Sequence, residues 1–133
     1  MEWSPFEPTR LACAASQHFG IVGNGRLYVL DATPQGVTLL NQFDTRDGLY
    51  DCSWSEENDK HLVTGSGDGS VKLWDVSRPA RPLASFEEHS REVYSVDWNL
   101  VSKGMCVCVC VCVQRQVRCG PVTRNATAIL RSI

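Results

Sequence analysis

Gly67-Asp68-Gly69-Ser70-Val71-Lys72-Leu73-Trp74-Asp75 is the stretch on which the fold turns. Gly23-Asn24-Gly25-Arg26-Leu27-Tyr28-Val29-Leu30-Asp31 repeats its pattern 44 residues earlier. Cys52-Ser53-Trp54-Ser55 returns as Val96-Asp97-Trp98-Asn99 at the same offset, and Glu2-Trp3-Ser4 begins an earlier copy with a longer spacer. A fixed period of this size marks a repeat architecture, in which each unit buries its apolar face only against a neighbour.

Each copy reads as β-strands joined by tight turns. Asn24-Gly25 and Asp68-Gly69 are hairpin turns, whose backbone needs the positive φ that glycine tolerates. Leu27-Tyr28-Val29 and Val71-Lys72-Leu73 alternate with the period of a strand. Glu56-Glu57-Asn58-Asp59-Lys60 is a polar turn between a strand ending at Trp54 and one starting near His61. Ser77-Arg78-Pro79-Ala80-Arg81-Pro82 cannot continue a central strand, so it marks a loop before an outer strand at 83–86. No stretch has helical periodicity with caps. The class is therefore all-β.

The 133 residues carry a formal net charge of −2, which leaves no basic footprint for nucleic acid. That total is a cancellation. Residues 1–100 hold all fifteen acidic and eight basic residues, a net of −7, and residues 101–133 hold five basic residues and no acid. All eleven aromatics precede the seam, and five of the seven cysteines follow it. The N-terminus lacks the basic start and apolar run of a secretory signal. The longest apolar run, 105–113, is half of what a membrane-spanning helix needs. A cytosolic chain with Cys13 and Cys52 reduced, and no direct membrane insertion, is the expectation.

Four short strands per 44 residues with a Trp-Asp ending resemble a blade of the WD40 β-propeller family. Trp74-Asp75 matches the family's dipeptide, and Leu30-Asp31 is its degenerate counterpart. Glu88-His89 stands where the family often has Gly-His. The resemblance implies a structural hydrogen-bonded tetrad. Asp68 and Trp74 match it, with Thr64 or Ser66 as the hydroxyl. Its His is absent from that copy, and His89 belongs to the next blade. The expected architecture is a propeller fragment of two four-stranded antiparallel blades and the first strand of a third over 1–100, followed by a non-homologous tail over 101–133.

Arg10-Leu11-Ala12-Cys13-Ala14, Gly48-Leu49-Tyr50-Asp51, Ser66-Gly67-Asp68-Gly69-Ser70 and Glu92-Val93-Tyr94-Ser95-Val96-Asp97-Trp98 go beyond the general blade pattern. They resemble the WD40 import receptors for the peroxisomal targeting signal type 2, across roughly residues 2–99. The resemblance implies a cytosolic protein shuttling to the peroxisome matrix. Its partners would be cargo proteins bearing that signal and an import co-receptor, with no catalytic residue, cofactor or metal. The signal is basic and apolar, so its binding surface needs carboxylates beside apolar or aromatic groups. Loops before the innermost strands place Asp47, Tyr50, Asp51, Glu92 and Tyr94 as the candidate cargo-binding residues; solvated acids and sheet-padding tyrosines are the bland alternative.

Enzyme chemistry is not expected. Asp51 with His18, His61 or His89 makes no recognisable triad, and Gly20 to Gly25 has no phosphate-cradling motif. In the tail, Cys106-Val107-Cys108-Val109-Cys110-Val111-Cys112-Val113 alternates strictly. On a strand its thiols share one face about 6.6–6.8 Å apart, too far for one tetrahedral zinc without bending. A soft-metal thiolate cluster and an aggregation-prone β segment are alternatives, as is a generic WD40 interaction scaffold for the whole chain. A third reading is genetic: a TG repeat translates as alternating Cys and Val, and Val101-Ser102-Lys103 can be encoded by a splice-donor-like GTAAGTAAG. On that reading 101–133 is translated intron, disordered or ill-packed, and the chain is a truncated form that works poorly. An exon that codes on through the tail at the Leu100 codon would refute it.

Overall fold

The computed structural model describes residues 1–17, 23–78, 81–87, 89–98, 106–110 and 115–119. Its regular structure is entirely β: β1 Glu2–Trp3, β2 Arg10–Ser16, β3 Gly25–Thr33, β4 Gly36–Thr45, β5 Leu49–Trp54, β6 His61–Ser66, β7 Val71–Asp75, β8 Ala84–Phe86, β9 Val93–Trp98, β10 Cys106–Cys110 and β11 Arg115–Cys119. Sheet 1 has the order β1-β2-β3-β4 and sheet 2 the order β5-β6-β7-β8, all neighbours antiparallel. These are the two expected blades. β9 opens a third sheet, of order β11-β10-β9.

The repeat extends to individual hydrogen bonds. Ser4 Oγ accepts from the amides of Phe6 and Glu7, both at 3.2 Å, and Ser55 Oγ accepts from Glu57 and Asn58 at 3.1 and 3.2 Å. The Ser4 amide donates to the Arg10 carbonyl, and the Ser55 amide to that of His61, each at 2.9 Å. A serine after the inner-strand tryptophan thus turns the chain back, because its hydroxyl satisfies amides that no strand partner reaches.

The hairpin turns differ from the simple expectation. In the first, positive φ falls on Asn24 (98°), not on Gly25. Gly25 is required for another reason: a Cβ there would strike the Asp47 carbonyl and lie 2.7 Å from Thr45 Oγ1. In the second turn Gly69 has φ of 85°, and a Cβ there would meet the His89 carbonyl. The loop entering each new inner strand is seated on the turn of the blade before it.

Strand alternation sorts the side chains into two cores. Ala12, Leu27, Val29 and Phe43 of sheet 1 pack against Leu49, Cys52, Trp54, Leu62 and Trp74 of sheet 2. Val63, Val71, Leu73 and Phe86 take the other face of sheet 2 and pack with Val93, Val96 and Trp98 of β9. Consecutive residues Leu62 and Val63, both fully buried, therefore serve different interfaces. Phe43 and Trp74 meet across the first, with ring centroids 5.0 Å apart.

Disorder or poor packing is the sequence expectation for 101–133. Two of its segments are strands, and β10 pairs with β9 from Cys106 opposite Trp98 to Cys110 opposite Val93. The backbone reason is that β9, as an inner strand, offers a free edge. Val111, Cys112, Val113 and Val101-Ser102-Lys103 lie outside the described residues. Among the described residues, no helix is long and apolar enough to cross a membrane.

Candidate functional site

The innermost strands β1, β5 and β9 come from three successive sheets, and most candidate residues lie on them. Tyr50 and Tyr94, one repeat apart, touch across two sheets with ring centroids 5.0 Å apart and planes at 42°. They are 37% and 43% exposed, so the pair presents its outer faces to solvent. Their strands place them side by side because β5 and β9 are repeat counterparts, in which Tyr50 and Trp54 answer to Tyr94 and Trp98.

Asp51 is held beside this pair. Its Oδ2 accepts from the Ser95 hydroxyl at 3.2 Å and the Val96 amide at 3.0 Å, and its Oδ1 from the Cys52 amide at 2.9 Å. It joins sheet 2 to β9. Asp47 Oδ1 accepts from the Gly48 amide at 2.7 Å, and the carboxylate lies against Gly67. Glu92 is half-buried directly before β9. Glu88 and His18 lie outside the described residues.

Sequence reasoning missed Glu2 and Asp97. Glu2 Oε1 accepts from the Trp54 amide at 3.3 Å, and the Glu2 carbonyl accepts from Trp54 Nε1 at 3.0 Å. Burial pushes the Glu2 carboxyl above the ordinary range. The Trp54 amide and Ser53 hydroxyl oppose that, while the charges of Asp51 and Asp97 add to it. Three acids from three inner strands thus share one electrostatic neighbourhood. The signal in the sequence was an acid on each inner strand, but only the stacking of sheets shows that they converge. Trp98 Nε1, which the repeat equates with Trp54 Nε1, is buried without a partner.

The candidate tetrad is distributed as follows. Trp74 Nε1 donates to Thr64 Oγ1 at 2.9 Å, with both residues buried. Ser66 Oγ donates instead to the Gly48 carbonyl at 3.5 Å. Asp68 Oδ1 accepts from the Ser70 amide at 2.9 Å and hydroxyl at 2.5 Å, and Lys72 Nζ lies 3.8 Å from its Oδ2. Burial raises the Asp68 carboxyl, but the Ser70 bonds, Lys72 and Ser66 outweigh it, leaving the group below its ordinary value. The His89 carbonyl seats on Gly69.

Elsewhere, burial first, with smaller opposing contacts, pushes the Cys52 thiol up to about 11, which makes it inert at neutral pH. An open cavity of about 610 Å³ lies on sheet 1, lined by Ser16, Gln17, Asn24, Arg26, Tyr28 and Asp44. Arg26 and Asp44 form an ion pair there, and the guanidinium stands 5.9 Å from the Tyr28 ring centroid. No group of three metal-ligating side chains occurs among the described residues.

Residues 37–75 match the family model of the WD domain, G-beta repeat. The chain is 62% identical over 105 residues to the peroxisomal targeting signal 2 receptor of Dictyostelium discoideum, covering 77% of the chain and 33% of that receptor. It is 54% identical over 98 residues to the receptor of Mus musculus, covering 74% and 31%. It is 50% identical over 103 residues to peroxisome biogenesis protein 7 of Arabidopsis thaliana, covering 74% and 32%. The chain carries WD40 repeat sequence and, over about three quarters of its length, is homologous to the peroxisomal targeting signal 2 receptors, of whose length it spans about a third.

Proposed function

We propose that residues 1–98 supply part of the cargo-binding face of a peroxisomal import receptor, one that takes proteins bearing the type 2 targeting signal. The observation that carries this reading is the exposed Tyr50–Tyr94 pair, which spans two blades beside Asp51. Glu2 and Asp97 add negative charge nearby. A basic and apolar peptide finds there both halves of its complement: carboxylates for its cations and ring faces for its aliphatic side chains. Asp47 and Glu92 extend the acidic rim. Homology to proteins named as receptors for this signal supports the assignment. The role is non-enzymatic, exercised by shuttling between cytosol and peroxisome matrix with a co-receptor. We read residues 101–133 as translated intron that continues the third sheet by backbone pairing of β10 with β9.

The test is fluorescence anisotropy of a labelled type 2 signal peptide against the full chain. Binding should exceed that of a scrambled peptide of the same composition. Tyr94→Ala should weaken it about tenfold, the ordinary effect of removing an aromatic contact. Equal binding of the two peptides, or indifference to Tyr94→Ala, would favour the generic WD40 scaffold.

A further inference from the structure

The alternating cysteine segment is the motif that the receptor reading leaves unused. Its described part is β10, which pairs antiparallel with β9 on one edge and with β11 on the other. The register on β11 sets Cys106 opposite Cys119, Cys108 opposite Val117 and Cys110 opposite Arg115. Of the three cysteines on β10, one therefore stands opposite a cysteine of the next strand. The blades offer no such pair, since Cys13 lies opposite Tyr28 and Cys52 opposite Thr64.

Backbone spacing decides what that register allows. Residues directly opposite in an antiparallel pair have Cα atoms about 4.5 or 5.5 Å apart, according to whether they exchange hydrogen bonds. A disulfide requires about 4.4–6.8 Å, so Cys106 and Cys119 stand inside the window in either case. Opposite residues also share one face of the sheet. Cys108 is diagonal to Cys119, about 7–8 Å away, and cannot be bridged to it without backbone movement. Successive cysteines along β10 are about 6.6–6.8 Å apart, at the far limit, and joining two of them would pinch the strand out of extension.

We propose that Cys106 and Cys119 are a redox modification site, closed to a cross-strand disulfide by glutathione disulfide and reopened by glutathione. One protein thiolate attacks a sulfur of glutathione disulfide, expelling one glutathione and leaving a mixed disulfide. The second protein thiolate attacks the protein sulfur of that bond and expels the other glutathione. The two cysteines lose two electrons and two protons in all, and the oxidant becomes two molecules of glutathione. Residues 101–133 hold five basic residues and no acid, and glutathione disulfide is an anion, so the tail attracts its oxidant. In a reducing compartment the pair stays as thiols, and it closes when the glutathione pool is oxidised. The bond then ties residues 106–119 into one loop and fastens β11 to β10. The site lies outside residues 1–98, so it stands or falls apart from the receptor reading.

The test is peptide mapping of the full chain equilibrated with glutathione disulfide, and then with glutathione in excess. Free thiols are blocked with iodoacetamide before tryptic digestion, which cuts after Lys103, Arg115, Arg118 and Arg124. The expected product joins peptide 104–115 to peptide 119–124, with fragment ions placing the bond at Cys106, and excess glutathione abolishes it. Cys106→Ser should lower the yield of cross-linked Cys119 at least about tenfold, because the diagonal cysteine is out of reach. Cys108→Ser should leave the yield unchanged. Bonds from Cys119 spread over Cys106, Cys108, Cys110 and Cys112 would overturn the proposal, since a segment without fixed register pairs at random. So would Cys119 joined to Cys13 or Cys52, glutathione retained on both cysteines without a cross-link, or bonds found only between chains.

Discussion

Asp51 shows how one side chain serves two ends. Its position on an inner strand suggests a charge offered to a ligand, yet its carboxylate already accepts from Ser95, Val96 and Cys52. Hydrogen bonds to a charged group contribute about 1.5–3 kcal/mol, and removing one partner strands the others. Asp51→Ala should therefore lower stability by about 1.5–3 kcal/mol in urea unfolding followed by tryptophan fluorescence. Tyr94→Ala, at an exposed position, should cost well under half of that. Equal costs would mean that Asp51 does not fasten β9 to sheet 2. Asp51 was legible in the sequence as an acid at the start of an inner strand. Its partners were not, since Ser95 and Val96 lie one repeat away and only sheet stacking brings them within reach.

The hairpins and strands follow their local sequence closely, and the exceptions have local causes. Asn24 takes the positive φ, which asparagine adopts more readily than most residues. At the centre of sheet 2, Trp74 and Thr64 sit on neighbouring strands, and the indole–hydroxyl bond between them is buried. A buried donor left without its acceptor costs more than the bond itself contributes. Thr64→Val should thus destabilise by about 1–3 kcal/mol, and Trp74→Phe with Thr64→Val should cost less than the two singles summed. A double-mutant cycle by thermal unfolding measures the coupling, and strict additivity would show that the bond contributes nothing. Pattern reasoning named Thr64 and Ser66 as alternatives for this bond. Strand alternation cannot separate residues two apart, since both face the same way, and only the register of β6 on β7 selects Thr64.

Among the described residues, sheet 2 is covered on both faces, by sheet 1 and by β9. Local opening free energy rises with buried apolar contact, so native-state hydrogen exchange should be slowest in β6 and β7. β1, two residues long and at the end of its sheet, should exchange among the fastest. The reverse order would mean that the two cores do not form one cooperative unit. The chain spans about a third of the length of its relatives, and Trp3 and Leu39 of sheet 1 are about half exposed.

The sequence by itself determined the strand period, the 44-residue repeat, the two blades, the Asn24-Gly25 and Asp68-Gly69 turns and the polar turn at 56–60. All of these depend on neighbours a few residues apart, where backbone sterics and hydrogen-bonding chemistry act directly. Only the tertiary structure decided that Tyr50 meets Tyr94, that Asp51 joins two sheets, and that Glu2, Asp51 and Asp97 share one field. Those contacts depend on how one sheet is staggered over the next. That stagger is set by the packing of Leu62, Trp74 and Val63 between sheets, and no local pattern of residues encodes it.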